Sequence, residues 1–165
     1  MIRFHTFVAL GSNLGDPPAQ VRHAMDRLEA LSSEPILRSS LWRSTPVDCP
    51  AGSPLFVNAV VALLPHRHET PESFLDHLQA VENQVGRRPR TILNEPRPLD
   101  LDLIAFARET RFTLRLTLPH PRAHQRRFVL APLSEIAPDF VLPGQTQPVC
   151  RLLEELVSRE VVTRL

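Results

Sequence analysis

Two aspartates separated by one residue, Asp100 and Asp102 in the run LDLDLIAF (99–106), carry the sharpest chemical signal in this chain. Alternate residues of an extended strand face the same side, about 6.6–7 Å apart along the chain. Both carboxylates can then look into one cleft while Leu99, Leu101 and Leu103 face a core. Neighbouring negative charges repel unless a cation lies between them. Magnesium, held by a few protein oxygens and completed by substrate phosphates, suits such a pair. An edge-strand salt bridge or plain surface alternation accounts for the spacing as well. The flanks bear on the choice: Arg87, Arg88, Arg90 and Arg97 precede the pair, and Arg115, His120, Arg122, His124, Arg126 and Arg127 follow it. Basic stretches on both sides of a metal-binding pair could hold a polyphosphate, although either stretch alone reads equally as solvated surface.

The elements that must position these residues are legible in outline. FHTFVAL (4–10) predicts a strand and GSNLGD (11–16) a turn. Pro17 and Pro18 suit a helix start, and Val21, Met25, Leu28 and Leu31 give that helix an apolar stripe. Residues 36–45 predict a second strand, and LFVNAVVALLP (55–65) a third. A second helix opens at Pro71, repeats Phe74, Leu75, Leu78 and Val81 at helical spacing, and stops at Gly86. The proline-rich stretch 87–98 is a loop, 99–106 a strand, 111–119 further strand-like sequence and 120–127 a basic turn or short helix. Short helices are expected at 128–138 and 149–157. The order β-α-β-β-α-β points to an α+β sandwich of the ferredoxin-like βαββαβ kind with C-terminal additions, forming one domain over residues 1–165.

Composition narrows the functional classes. Nineteen basic and eighteen acidic residues leave a net charge of +1, which provides no general field for nucleic acid or an anionic membrane. The absence of tyrosine and a lone tryptophan, Trp42, argue against a sheet that stacks RNA bases. No apolar run approaches the roughly 20 residues of a membrane span. Cys49 and Cys150 offer neither a CxxC pair nor a thiolate cluster, and two free thiols in a reducing cytoplasm are expected. The expected setting is cytoplasmic.

Several segments together resemble the 6-hydroxymethyl-7,8-dihydropterin pyrophosphokinases of folate synthesis. They are ALGSNLGD (9–16), SSLWRSTPV (39–47), FVNAVVAL (56–63), VENQVGR (81–87), PRPLDLDLIAF (96–106) and LTLPHPRAHQRRFVLAPLSEIAP (116–138). The resemblance implies magnesium-dependent transfer of the terminal two phosphates of ATP to the pterin hydroxymethyl group, leaving AMP. It implies that Asp100 and Asp102 bind two magnesium ions, and that Arg87, Arg97, His120 and Arg126 meet the phosphates. Gln79 and Glu82 would face ATP from the second helix, Glu82 as an orienter of arginines. Leu103, Arg115 and Thr117 would line the adenosine side. Asn58 would recognise the pterin edge beside Phe56, Phe128 would stack on the ring, and Thr45 and Val47 would present main chain to it. Gly11, Ser12 and Asn13 are expected to form a turn near the cleft, and no GxxxxGK[ST] phosphate loop is present. ATP and the pterin are the implied partners, with no nucleic acid, membrane or obligate protein partner.

The chain departs from familiar members in one stretch. Leu93, Asn94 and Glu95 stand where those members carry an arginine-tryptophan-glycine run, which puts the closing loop in question. Pro121 replaces an aromatic found in some members. A related enzyme acting on another hydroxylated heterocycle is the alternative reading. A noncatalytic interaction role built on Trp42 and the C-terminal helix would show no ATP-dependent activity.

Overall fold

A strand as uniformly apolar as FVNAVVAL needs cover on both faces, and the architecture follows from that need. The computed structural model describes residues 6–46, 49–85 and 98–165. Within them the chain runs β1 (Thr6–Ser12), α1 (Pro17–Leu28), β2 (Leu37–Arg38), β3 (Trp42–Ser44), β4 (Phe56–Leu63) and α2 (Pro71–Gln84). It continues through β5 (Asp100–Phe106), β6 (Arg111–Phe112), β7 (Thr117–Leu118), α3 (Arg127–Ile136), α4 (Val149–Glu155) and β8 (Val162–Arg164). The fold is α+β. Its main sheet is ordered β5-β1-β4-β3-β8, with β2 also pairing β4, and β6 and β7 form a separate hairpin.

Helices α1 and α2 cover one face. Asp16 caps α1 by accepting from the Ala19 N–H at 3.2 Å, and Val21, Ala24, Met25 and Leu28 turn inward. Thr70 and Ser73 form a reciprocal capping box on α2, which buries Phe74, Leu78 and Val81. These side chains share a core with Val8, Leu10, Val57, Val61, Leu101 and Leu103 from the sheet. On the opposite face, Val129, Leu130 and Leu133 of α3 and Val149 of α4 pack over Phe7, Val60, Ala62 and Ile104. A register shift between β1 and β5 leaves Ile104 as the extra residue, so Ile104 and Ala105 both join this second core.

Three sequence expectations change in detail. Residues 36–45 form two short strands because the Ser39 hydroxyl accepts the Val60 N–H at 2.9 Å, interrupting the ladder. Gly11 and Ser12, expected in a turn, extend β1, paired with β4 on one side. The C-terminal strand β8 has no counterpart in the sequence reading; it pairs with β3 through Trp42↔Arg164 and Ser44↔Val162. Among the described residues no helix is long and apolar enough to cross a membrane.

Candidate active site

The second face of the sheet is only partly roofed. Beside the start of α3, the strand ends form the floor of a cavity of about 650 Å³, a size suited to a small-molecule ligand. The pairing register builds its central row: Asn58 of β4, Gly11 of β1 and Asp100 of β5 lie directly across three strands. Two strand spacings separate the outer members, roughly 9.5 Å. Gly11 keeps the middle open. A Cβ there would already lie 3.4 Å from Asn58 Oδ1, so a larger side chain would enter the space between amide and carboxylate.

Asp100 and Asp102 line this cavity together, half-buried, while Leu99, Leu101 and Leu103 pack in the core below α2. Strand alternation thus delivers both carboxylates to one side. The peptide between them is fixed from the sheet edge: Glu82, only 3% exposed, accepts the Leu101 N–H at 2.8 Å. Further along the same edge the His120 N–H donates to the Ile104 carbonyl at 2.9 Å. Strand β5 ends the sheet order, and α2 and the segment after β7 satisfy part of its outer edge.

Asn58, 4% exposed, donates from Nδ2 to Ser44 Oγ at 2.6 Å. The hydroxyl fixes the amide's plane, and Oδ1 lies beside Gly11 at the cavity floor. Thr45, Phe56 and Phe128 line the same space. Phe128 belongs to the first turn of α3, and the Arg126 guanidinium carbon sits 5.4 Å from its ring centroid.

His120 lies within electrostatic reach of Asp100, Arg126 and Arg122. Burial, reinforced by the arginines and opposed by Asp100, lowers its pKa from 6.5 to about 4. The Arg122 N–H donates to His120 Nδ1 at 3.2 Å, so the neutral ring carries its hydrogen on Nε2 and acts there as a donor.

The remaining expected residues lie elsewhere. Gln79 is exposed on α2, and Leu103 is 4% exposed within the core. Arg115 is exposed and paired with Asp76 of α2, and Thr117 is half-buried on β7. None of these four, nor Glu82, lines the cavity, and His120 stands behind its wall, beside the lining residues Arg122 and Asp100. Val47, Arg87, Arg97 and the Leu93-Asn94-Glu95 departure lie outside the described residues. The sequence reading missed Ser44, Gln125 and the C-terminal trio Ser158, Arg159 and Glu160, all at the cavity wall. Ser44 gave no local signal, because its contact with Asn58 joins separate strands. The trio had no local signal, because its place depends on β8 finding β3. Arg122, Arg126 and Arg159 face Asp100, Asp102 and Glu160 around one space, which provides for both phosphates and cations.

Among the described residues no group of three or more His, Cys, Asp or Glu side chains is arranged to hold a metal. The donor set at the cavity is instead two hard carboxylates. That fits magnesium, which takes one or two protein carboxylates and completes its shell with phosphate and water oxygens.

The family model for 7,8-dihydro-6-hydroxymethylpterin-pyrophosphokinase (HPPK) matches residues 7–138. The chain belongs to this family. An HPPK family relative, the 2-amino-4-hydroxy-6-hydroxymethyldihydropteridine pyrophosphokinase of Haemophilus influenzae, is 36% identical over 157 residues, covering 94% of this chain and 95% of that protein. The enzyme of the same name from Pseudomonas aeruginosa is 42% identical over 138 residues, 83% of each chain. A crystal structure of Plasmodium falciparum HPPK-DHPS superposes with a TM-score of 0.74 at 13% identity, over 92% of this chain and 44% of that one. That likeness is one of fold, and this chain spans less than half of that structure's length. The HPPK match ends before α4 and β8, so the C-terminal part of the cavity wall lies beyond it.

Proposed function

We propose that this HPPK family member transfers the terminal two phosphates of ATP, as one unit, to the hydroxymethyl oxygen of 6-hydroxymethyl-7,8-dihydropterin in folate synthesis. The single observation that carries the reading is the row Asn58–Gly11–Asp100, which sets a heterocycle-reading amide and a metal-binding carboxylate across an open floor. A fused bicycle with a one-carbon alcohol arm suits that span: ring edge at Asn58, ring faces toward Phe56 and Phe128, alcohol toward the aspartates. Asn58 Oδ1 accepts from the ring's amino or N–H groups, and the main chain of Thr45 and Val47 serves the same edge.

Asp100 and Asp102 are the residues that would hold magnesium. When bound, the metal offsets charge on the donor's phosphates and helps align them with the acceptor. The acceptor oxygen attacks the β-phosphorus, the bond from that phosphorus to the oxygen of the α-phosphate breaks, AMP leaves, and the alcohol proton passes to solvent. His120 donates from Nε2 to a phosphate oxygen without adding a competing positive charge, and Arg126 neutralises the same group from the start of α3. Arg87 and Arg97 would meet the triphosphate as planar, bidentate donors. Glu82 holds the aspartate strand in place through the Leu101 N–H. Gln79, Leu103, Arg115 and Thr117 are assigned to the adenosine end, a reading supported by the packing of β5 against α2 and β7 and by the Arg115–Asp76 pair.

The sheet order β5-β1-β4-β3 with paired helices on one face supports a ferredoxin-like reading of the fold, with α3, α4 and β8 as additions. Residues 1–165 are read as one such domain. A cytoplasmic setting, where ATP is made and used, goes with this function. Incubated with ATP, magnesium and the reduced pterin, the protein should form AMP and pterin diphosphate in equal amounts, resolved by chromatography. ADP in place of AMP would overturn pyrophosphoryl transfer.

A further inference from the structure

Helix α3 has Arg126 as its N-cap residue and no side-chain cap of its own, although Arg126 and Phe128 at this end both line the cavity. The missing acceptor arrives from the C-terminal segment. Glu160 Oε2 accepts the Arg127 N–H at 2.7 Å and the Ser158 hydroxyl at 3.0 Å. A carboxylate at this end also opposes the positive pole of the helix. Arg127 returns the contact by donating from Nη2 to the Leu156 carbonyl at 2.9 Å.

The same segment is tied to the opposite wall of the cavity. The Thr45 N–H donates to the Val161 carbonyl at 3.2 Å, and the Val161 N–H donates to Thr45 Oγ1 at the same distance. Strand β8 then pairs with β3, beginning opposite Ser44, the residue that holds Asn58. Residues 156–164 therefore form a strap from the stacking and phosphate side to the edge-reading side, anchored at the helix by the Glu160 carboxylate and the Leu156 carbonyl.

We infer that Glu160 is a positioning residue for the acceptor end of the site, setting the distance between the Phe128 wall and the Thr45–Asn58 wall. The inference rests on the function proposed above. Its action is indirect: Glu160 holds the start of α3 and the strap, and these hold Phe128 and Thr45. The nucleotide-facing aspartates sit on β5, outside this linkage, and only Arg126 shares the start of α3 with it, so the pterin should respond more than the nucleotide.

The test is steady-state kinetics with each substrate varied, on the full chain carrying Glu160→Ala or Glu160→Gln. Loss of the cap should raise KM for the reduced pterin by about five-fold or more, with a smaller rise in KM for ATP transmitted through Arg126. Glu160→Gln should recover most of the loss, because its amide oxygen still accepts. An unchanged pterin KM in Glu160→Ala overturns the inference, as does an equal loss in both substrates. Should Glu160→Ala fail to fold, Ser158→Ala decides: it loosens the same carboxylate and should shift pterin KM in the same direction, and no shift overturns the inference. A wild-type protein that makes no AMP with this acceptor overturns the underlying reading, and the positioning role with it. Normal wild-type turnover with unaffected variants removes only the positioning role.

Discussion

Asp100 and Asp102 are informative because of what shares their side of the sheet. An aspartate pair alone suits a surface as well as a site, but Asn58, Ser44 and an open Gly11 occupy the same floor, and Arg122, Arg126 and Arg159 face it. Replacing both Asp100 and Asp102 by Asn should lower turnover by about a hundred-fold or more without unfolding the protein, as circular dichroism would check. Near-normal rates would contradict their assignment. His120 supplies a second test at this scale. Its folded pKa of about 4 lies below the ordinary 6.5, so between those values the unfolded chain binds more protons. Its stabilising contribution is complete above about pH 6.5 and is lost as pH falls toward 4. An NMR titration of the metal-free protein, with His120→Gln to assign the ring, should give a midpoint far below 6.5; an ordinary midpoint would contradict the half-buried, neutral donor. Residue type and two-residue spacing made the aspartates legible, and the family resemblance pointed to Asn58. They could not reveal that Ser44 orients Asn58, because that contact spans separate strands.

At the scale of elements, the site depends on how the edge strand β5 is held. A strand with a solvent-facing N–H between two carboxylates would fray at the point where it must be most fixed, and Glu82 supplies the buried acceptor. Glu82→Ala should destabilise the fold by about 1–3 kcal/mol, measured by denaturant unfolding, with Glu82→Gln recovering most of it. An unchanged midpoint in the alanine variant would show that the Leu101 N–H needs no such partner. The strands β1, β4 and β5 and the helices α1 and α2 were readable because apolar periodicity and capping are local signals. The split at Ser39 was not, since a hydroxyl that replaces a ladder acceptor leaves the hydrophobic pattern nearly intact. Strand β8 was hidden for a different reason: VTR has no buried face of its own and is a strand only because β3 offers an edge.

Across the whole molecule, function follows from unequal cover. One face of the sheet is closed by α1 and α2; the other is closed by α3 and α4 over part of its area, leaving the strand ends as the cavity floor. The net charge of +1 conceals this organisation, because opposite charges are concentrated around one cavity instead of spread into a single-sign field. The most direct test is a crystal structure with magnesium, a non-hydrolysable ATP analogue and the reduced pterin. It should show metal between the phosphates and both Asp100 and Asp102, with the pterin edge on Asn58 and its ring between Phe56 and Phe128. Phosphates bound away from these two carboxylates, or a pterin outside this cavity, would contradict the account.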